Sequence, residues 1–350
     1  MTRPALRLEL LAALAEAHGP SGHEDQVARI VRPELEATCD RVVRDPLGSL
    51  LGTRDAIGGG ATPVRLMLAA HMDEVGLMVR AIDEKTGFIS VIPLGGWDAR
   101  TLVSQRVLVH GRRPVDGVVG TPPVHVLDEA AREKAPKLTD LVIDTGLPSD
   151  RVREAVRVGD VATRVRTLHT LGDLVTCKAI DDRVGVFVML EALREAGRGP
   201  TEVVAAATVQ EEVGLRGARA ATNRVRPHVG LAIDTCPSGD GPGQSGGGTR
   251  LGDGAAIRIM DASAIGARRL VDLLERLAVE RDIPHQFHVS DKGGTDTAAL
   301  QLAGDGAIAG CVSIPSRYGH SSVEACHPGD VDACIRLVAA LLETDLTQLG

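Results

Sequence analysis

Several stretches of this chain are apolar almost without a break, and each stops at a group that binds protons or metals. PVRLMLAA (63–70) runs into His71 and Asp73, TEVVAAATVQ (201–210) into Glu211 and Glu212, and PHVGLAI (227–233) into Asp234. An apolar run of this length between turn signals reads as a buried strand. GAIAGCVSIP (306–315) is another, and SRYGHSS after it supplies His320. The intervening segments have helical spacing: 181–197, the region 214–223, 266–282 and 330–347. Strands alternating with helices predict an α/β fold, a mixed sheet with helices on both faces. Ligands of such sheets gather beyond the carboxyl ends of the strands, which is where these acids and imidazoles stand.

The amino-terminal part fits the same scheme. Leucines at 6, 8, 10, 11 and 14 space a helix over 4–17, and Gly19-Pro20 stops it. Ser21 with Glu24 three residues on reads as a capping box opening a second helix to about Ala37. Residues 41–54 read as two short strands about a turn, and Gly58-Gly59-Gly60 as a loop. From about 75 to 165 the pattern changes to short Val/Ile-rich runs separated by Gly, Pro and Asp: VGLMVRAID, GFISVIPLGG, SQRVLVHG, VDGVVGTPP, DLVIDTG and VGDVATRV. This predicts a small all-β insertion, within which the charged stretch 128–137 is either loop or helix. The expected organisation is a discontinuous α/β domain, 1–72 and 166–350, interrupted by a β-rich insertion, 73–165.

A chain of 350 residues buries a core without staples. Its six cysteines include no CxxC and read as reduced, inert core thiols. Aromatic residues make up only 1%, so bases have little to stack on, and a net charge of −8 also speaks against a nucleic-acid partner. Arg7, Glu9 and Glu16 interrupt what would otherwise resemble a signal-peptide core. No run approaches the roughly 18 apolar residues of a membrane span. The expectation is a cytoplasmic protein without membrane contact.

Asp181-Asp182 at the start of the long helix add two more acids. Asp73, Asp181, Asp182, Glu211, Glu212 and Asp234 cannot crowd one cleft unless cations compensate them. His, Asp and Glu donors without Cys suit zinc, cobalt or manganese. Two such ions roughly 3.5–4 Å apart form a hydrolytic centre that polarises a carbonyl and lowers the pKa of water to about 7. A neighbouring carboxylate then takes the proton. On a strand His71 and Asp73 point the same way, so Asp73 is placed to hold the second ring nitrogen of His71.

AAHMDEVGLMV, CKAIDDRVG, VQEEVGLRGA, AIDTCPS, GGTDTAAL and SIPSRYGHSSVE, in that order and with GPSGHE near the start, resemble the glutamyl-aminopeptidase-like family of dinuclear metallo-aminopeptidases. That family includes TET-type enzymes that assemble as tetrahedral particles, and some members are labelled cellulase or endoglucanase. The resemblance spans essentially the whole chain. It implies a zinc-peptidase-like fold and an aminopeptidase that removes N-terminal residues from short peptides through a hydroxide activated by two divalent metal ions. On this resemblance Asp181 bridges the ions, His71 and Asp234 complete one site, and Glu212 and His320 the other. Glu211 is the general base and Asp73 orients His71. The insertion is implied to be a dimerisation domain in a dodecamer whose cavity admits peptides but not folded proteins. Gly319 stands where the family carries a larger apolar residue, which implies a looser His320 loop without loss of a ligand.

Other features carry less. Asp182 reads as a helix-start carboxylate rather than a ligand. GPGQSG (241–246) matches a dinucleotide pattern, but Pro242 and the glycines that follow leave no helix behind it, so it reads as a flexible loop near the site. Lys292 in SDKGGTD touches substrate or belongs to a turn. His285 and His288 read as surface or packing residues of an edge strand; the resemblance implies that His125, in the insertion, lies near a subunit contact. Three rival functions remain: a dinuclear deacylase or carboxypeptidase for small acylated amino acids, a glycosidase using two carboxylates and no metal, and a silent peptide-binding assembly protein. Blocked versus free substrates separate the first, chelator insensitivity marks the second, and the complete ligand set argues against the third.

Overall fold

The structure, a computed structural model, describes residues 6–58, 63–126, 129, 134–243 and 248–349. Its frame is an eleven-stranded mixed sheet. The members are β1 (Arg41–Arg44), β2 (Leu50–Arg54), β3 (Arg65–His71), β10 (His169–Leu171), β11 (Leu174–Cys177), β12 (Glu202–Thr208), β13 (Val229–Pro237), β14 (Ala255–Met260), β15 (His285–Val289), β16 (Ile308–Arg317) and β17 (Glu324–Cys326). The order is β1-β2-β12-β3-β13-β16-β17-β11-β10, with β14 pairing β16 and β15 outside it. The four central strands β12, β3, β13 and β16 run parallel, with Thr208 opposite His71 and Asp234 opposite Ser313. Their carboxyl ends therefore open on one edge.

These strands are apolar along most of their length because both faces are covered. Side chains alternate along a strand, so one run feeds two cores. Leu66, Leu68 and Ala70, with Val203, Ala205, Leu231 and Ile233, join a core shared with helices α1 (Leu8–Glu16), α2 (Asp25–Thr38), α4 (Ile180–Glu195), α6 (Arg268–Glu280) and α8 (Pro328–Leu342). Met67, Ala69, Val204, Ala206 and Ala232 face the other way, toward α5 (Arg216–Val225) and α7 (Thr297–Leu300). Helix α4 is buried along most of its length, with Val184, Val186, Phe187, Val188 and Met189 enclosed by sheet and helices.

Between β3 and β10 the chain forms a separate closed barrel of order β4-β5-β8-β7-β6-β9. Its strands are β4 (Gly76–Ile82), β5 (Ile89–Leu94), β6 (Arg106–His110), β7 (Pro114–Gly120), β8 (Val142–Asp144) and β9 (Val161–Arg164). They close around Leu77, Val79, Ile89, Val107, Val109, Val119 and Ile143. Helix α3 (Ser149–Ala155) packs on them through Val152 and Ala155, an element the sequence reading does not anticipate. The stretch 128–137 is described only at 129 and 134–137, the Gly58–Gly60 loop only at 58, and the 241–246 loop only at 241–243; the remainder of each lies outside the described residues.

The capping box at Ser21 does not form. Helix α2 starts at Asp25 with no side-chain cap, and Ser21 and Glu24 bond elsewhere. The last helix ends at Leu342, followed by a short 3₁₀ turn over Leu346–Leu349. Among the described residues all six cysteines are free, and no helix is long and apolar enough to cross a membrane.

Candidate active site

The edge where the parallel strands end carries a cavity of about 690 Å³. His71 ends β3, Glu211 and Glu212 follow β12, Asp234 lies near the end of β13, His320 follows β16, and Asp181 opens α4. All six line this cavity. The loops that aim them hold backbone conformations rare for side-chain-bearing residues: Ala179, Gln210, Leu215, Tyr318 and His320 all have φ between +56° and +61°. Each costs about 1–3 kcal/mol in isolation and persists only where its surroundings dictate it.

Asp181 is the centre. Its Oδ1 lies 3.3 Å from Nε2 of His71 and its Oδ2 3.6 Å from Nε2 of His320. His320 Nε2 is also 3.2 Å from Glu212 Oε1, which is buried and makes no hydrogen bond. His71 Nδ1 lies 3.0 Å from the main-chain oxygen of Asp73 and 3.5 Å from its carboxylate. The carboxylate of Asp73 has a further task that strand geometry did not suggest. It accepts from Ser21 Oγ at 2.6 Å and from the main-chain N–H groups of Glu211 and Glu212 at 2.9 and 3.2 Å. Glu24 accepts from the N–H of Gln210 at 3.1 Å. The GPSGHE segment therefore supports the 210–212 loop instead of capping a helix.

Asp182 behaves as a helix-start carboxylate, with Oδ1 accepting from the Gly185 N–H at 3.2 Å. Its Oδ2 also accepts from the His71 N–H at 3.1 Å. Candidate donor atoms of His71, Asp182 and Asp234 lie within 4.8 Å of one another, as do those of His71, Asp181 and Glu212.

Charge decides what such a cluster needs. Burial, then Asp181, pushes Asp234 up to about 8. Burial, then Asp234, raises Asp182, and burial with Asp234, Asp296 and Glu212 raises Glu211. Asp181 goes the other way: burial would raise it, but His320 and His71 hold it well below the usual range. His320 is driven up to about 12, its burial outweighed by Asp181 and Glu212. Bare carboxylates at this density take up protons unless cations replace them. Donors bound to one zinc-like ion at about 2.0–2.2 Å stand roughly 3–4 Å apart, the separation seen here between imidazole nitrogens and carboxylate oxygens. The residues fit divalent cations.

Other polar side chains line the cavity as well, His288, Lys292 and Arg258 among them. His288, on the edge strand β15, is buried at 6% exposure, as a packing residue would be, but it also lines the cavity and has no partner at Nδ1. Alternation on a short edge strand does not reveal which side holds a cavity. Lys292 lines the same wall, and so does Arg258, which is paired to Asp261 at 3.1 Å. Gly319 has nothing within 4 Å of where a Cβ would stand, so a larger residue would fit there.

An acid-lined cleft with the imidazoles of His71 and His320 around one carboxylate, at the carboxyl ends of parallel strands, is a setting suited to hydrolysis. The family described as M42 glutamyl aminopeptidase matches residues 50–337. The lysyl aminopeptidase of Pyrococcus furiosus is 33% identical over 96% of this chain and 96% of its own length. The glutamyl aminopeptidase of Lactococcus lactis subsp. cremoris is 31% identical over 88% of each chain. Among solved structures, the aminopeptidase APDkam598 of the archaeon Desulfurococcus kamchatkensis superposes with a TM-score of 0.90 at 40% identity, over 96% of this chain and 94% of that one. The TET1 peptidase of Pyrococcus horikoshii gives 0.84 at 32%, over 96% and 99%. An endoglucanase from Thermotoga maritima gives 0.78 at 26%, over 95% and 96%. The chain belongs to the M42 aminopeptidase family and is an enzyme that hydrolyses peptides.

Proposed function

We propose that this protein is a two-metal aminopeptidase in which His71, Asp181, Glu212, Asp234 and His320 hold the ions. The observation that carries the reading is Asp181, which turns one carboxylate oxygen toward each imidazole. Two divalent ions held there supply Lewis acidity toward the scissile carbonyl and acidify water to a pKa of about 7. Glu211 lines the cavity beside them, accepts the proton of the attacking water and passes it to the leaving amine. Asp73 fixes the backbone of Glu211 and Glu212 and the ring of His71. Zinc suits the donor set, as do cobalt and manganese.

The cavity wall also argues for a side-chain preference. Arg258 is neutralised by Asp261 and Arg317 by Asp240. Among the described residues Lys292 has no ion-pair partner, and it stands exposed at the cavity. A lone cation on that wall favours an acidic N-terminal residue over a basic one. The named relatives include both a glutamyl and a lysyl enzyme, so family membership alone does not decide.

Residues 73–165 would act as a dimerisation domain of a dodecamer in the cytoplasm, with His125 near the contact. The Pyrococcus horikoshii enzyme assembles into a tetrahedron or a large octahedral shell. Here the barrel exposes Phe88, Ile92 and Val118.

The test is hydrolysis of free and N-acetylated aminoacyl chromogenic substrates by chelated protein, before and after adding zinc, cobalt or manganese. The reading expects metal-restored cleavage of free-amine substrates alone, with Glu and Asp ahead of Leu and Lys. Cleavage of blocked substrates only would replace it with a deacylase, and chelator-resistant cleavage of glycosides with a glycosidase. Glu211→Gln should keep its metal and lose at least ~100-fold in turnover; near-normal turnover would remove Glu211 from the base role.

A further inference from the structure

The side chains around Asp181 come from the α/β sheet and its loops, yet one half of the cluster is braced by the barrel. His320 Nδ1 lies 2.8 Å from the carbonyl oxygen of Gly96, in the connection that follows β5. A carbonyl only accepts, so this contact keeps the proton on Nδ1 and presents Nε2 to Asp181 and Glu212. Gly95, at φ +85°, passes so close to the site that a Cβ there would stand 2.6 Å from Val75 Cγ1 and 3.0 Å from Glu212 Oε2. Trp97 follows. Its Nε1 donates to the Gly76 carbonyl at 2.8 Å, and the Arg164 guanidinium lies 4.6 Å from its ring centroid. Arg164, at the end of β9 and 1% exposed, donates to the carbonyl of Ser321, the residue after His320. The His320 loop is thus gripped from two sides by barrel residues. The hydrogen bonds of the His71 half involve none of the barrel strands or their connections: the His71 ring contacts the Asp73 carbonyl, the His71 N–H donates to Asp182, and Ser21 donates to Asp73.

We propose that the barrel is a working part of the metal centre: Gly95, Gly96, Trp97 and Arg164 are positioning residues that set the affinity of the His320–Glu212 half, while the His71–Asp234 half does not depend on them. The proposal rests on the two-metal reading above. It assigns the insertion a role inside each subunit, independent of any assembly it mediates.

Gly95→Ala pushes a methyl group toward Glu212, and Trp97→Leu removes the platform under Arg164. Each is made in the full chain and compared with wild type by zinc stoichiometry after dialysis at set free zinc, and by the visible absorption of a cobalt titration. Folding is followed by circular dichroism in the metal-free state. The expected result is one ion bound as in wild type and a second bound about 10–100-fold more weakly, with one of two cobalt absorption phases shifted to higher concentration. Two ions bound at wild-type affinity in both variants would overturn the proposal. Equal weakening of both ions in folded protein would overturn it too, since that is the mark of general loosening. If Gly95→Ala does not fold, Trp97→Leu decides alone. A wild-type chain binding fewer than two ions would overturn the two-metal reading and this proposal with it, whereas a two-ion wild type with unaffected variants overturns this proposal only.

Discussion

Asp73 shows how one buried carboxylate organises residues far apart in sequence. Burial would raise its pKa, but His71 and the bonds from Ser21 and Glu211 more than offset this and hold it below the ordinary range. Asp73→Asn would turn an amide N–H₂ toward donors that need an acceptor. Losing a charge-assisted bond of about 1.5–3 kcal/mol predicts a fall in kcat/KM on the order of 100-fold with an unchanged circular dichroism spectrum. A fall of less than threefold would mean that the Glu211-Glu212 loop holds its place unaided. His71, Asp181, Glu212, Asp234 and His320 could be picked out in sequence because each interrupts or flanks a recognisable element. Ser21 and Glu24 could not: their partners stand 52 and 186 positions away, and their spacing imitates a helix cap. Gly96 was invisible for another reason, since it acts through a carbonyl that every residue has.

Elements with a period of their own, or set in a regular series of turn signals, were readable; isolated short ones were not. The central strands and α4 announce themselves by apolar content, and the six barrel strands by their spacing. Strands β10, β11 and β17, of three or four residues, have no room for a pattern and are defined only by their neighbours in the sheet. Helix α4 gives the sharpest prediction at this scale. A Cβ on Gly185 would stand 2.2 Å from Asp182 Oδ1, so Gly185→Ala must displace the carboxylate that starts the helix and holds the His71 N–H. We expect a loss of about 1–3 kcal/mol in urea unfolding of metal-free protein, together with weaker metal binding. Unchanged values for both would show that Asp182 tolerates another rotamer.

At the scale of the molecule, barrel and sheet meet along a polar seam. Lys178 and Arg183 of the α/β part surround Glu74, with Lys178 at 2.8 Å, and all three are fully buried. Beside them the Thr163 hydroxyl of β9 lies 2.6 Å from His18 Nδ1 and 2.8 Å from His110 Nε2. One hydroxyl can donate to one neutral ring and accept from the other. Burial, then Lys178, lowers His18 from 6.5 to about 4. Between those values the unfolded chain binds the proton and the folded one does not, so stability is fully present above pH 6.5 and declines as pH falls toward 4. The urea midpoint should therefore drop between pH 7 and pH 5, and His18→Gln should make that drop smaller. An equal drop in the variant would locate the acid sensitivity elsewhere. No sequence pattern marks this seam, because its residues come from five separate stretches: His18, Glu74, His110, Thr163 and the pair Lys178 and Arg183.

The interruption of the sheet by the barrel also governs when the enzyme becomes active during synthesis. His71 emerges early, but β3 pairs with β12, whose Thr208 stands opposite His71, and β13 pairs with β16 later still. The barrel is built from nearer neighbours and can form first, whereas the long-range pairings are slow to close. No nascent chain holds a complete cleft until His320 has left the ribosome. A cleft assembled in that order stays incomplete until the strands on both sides of the barrel have been made.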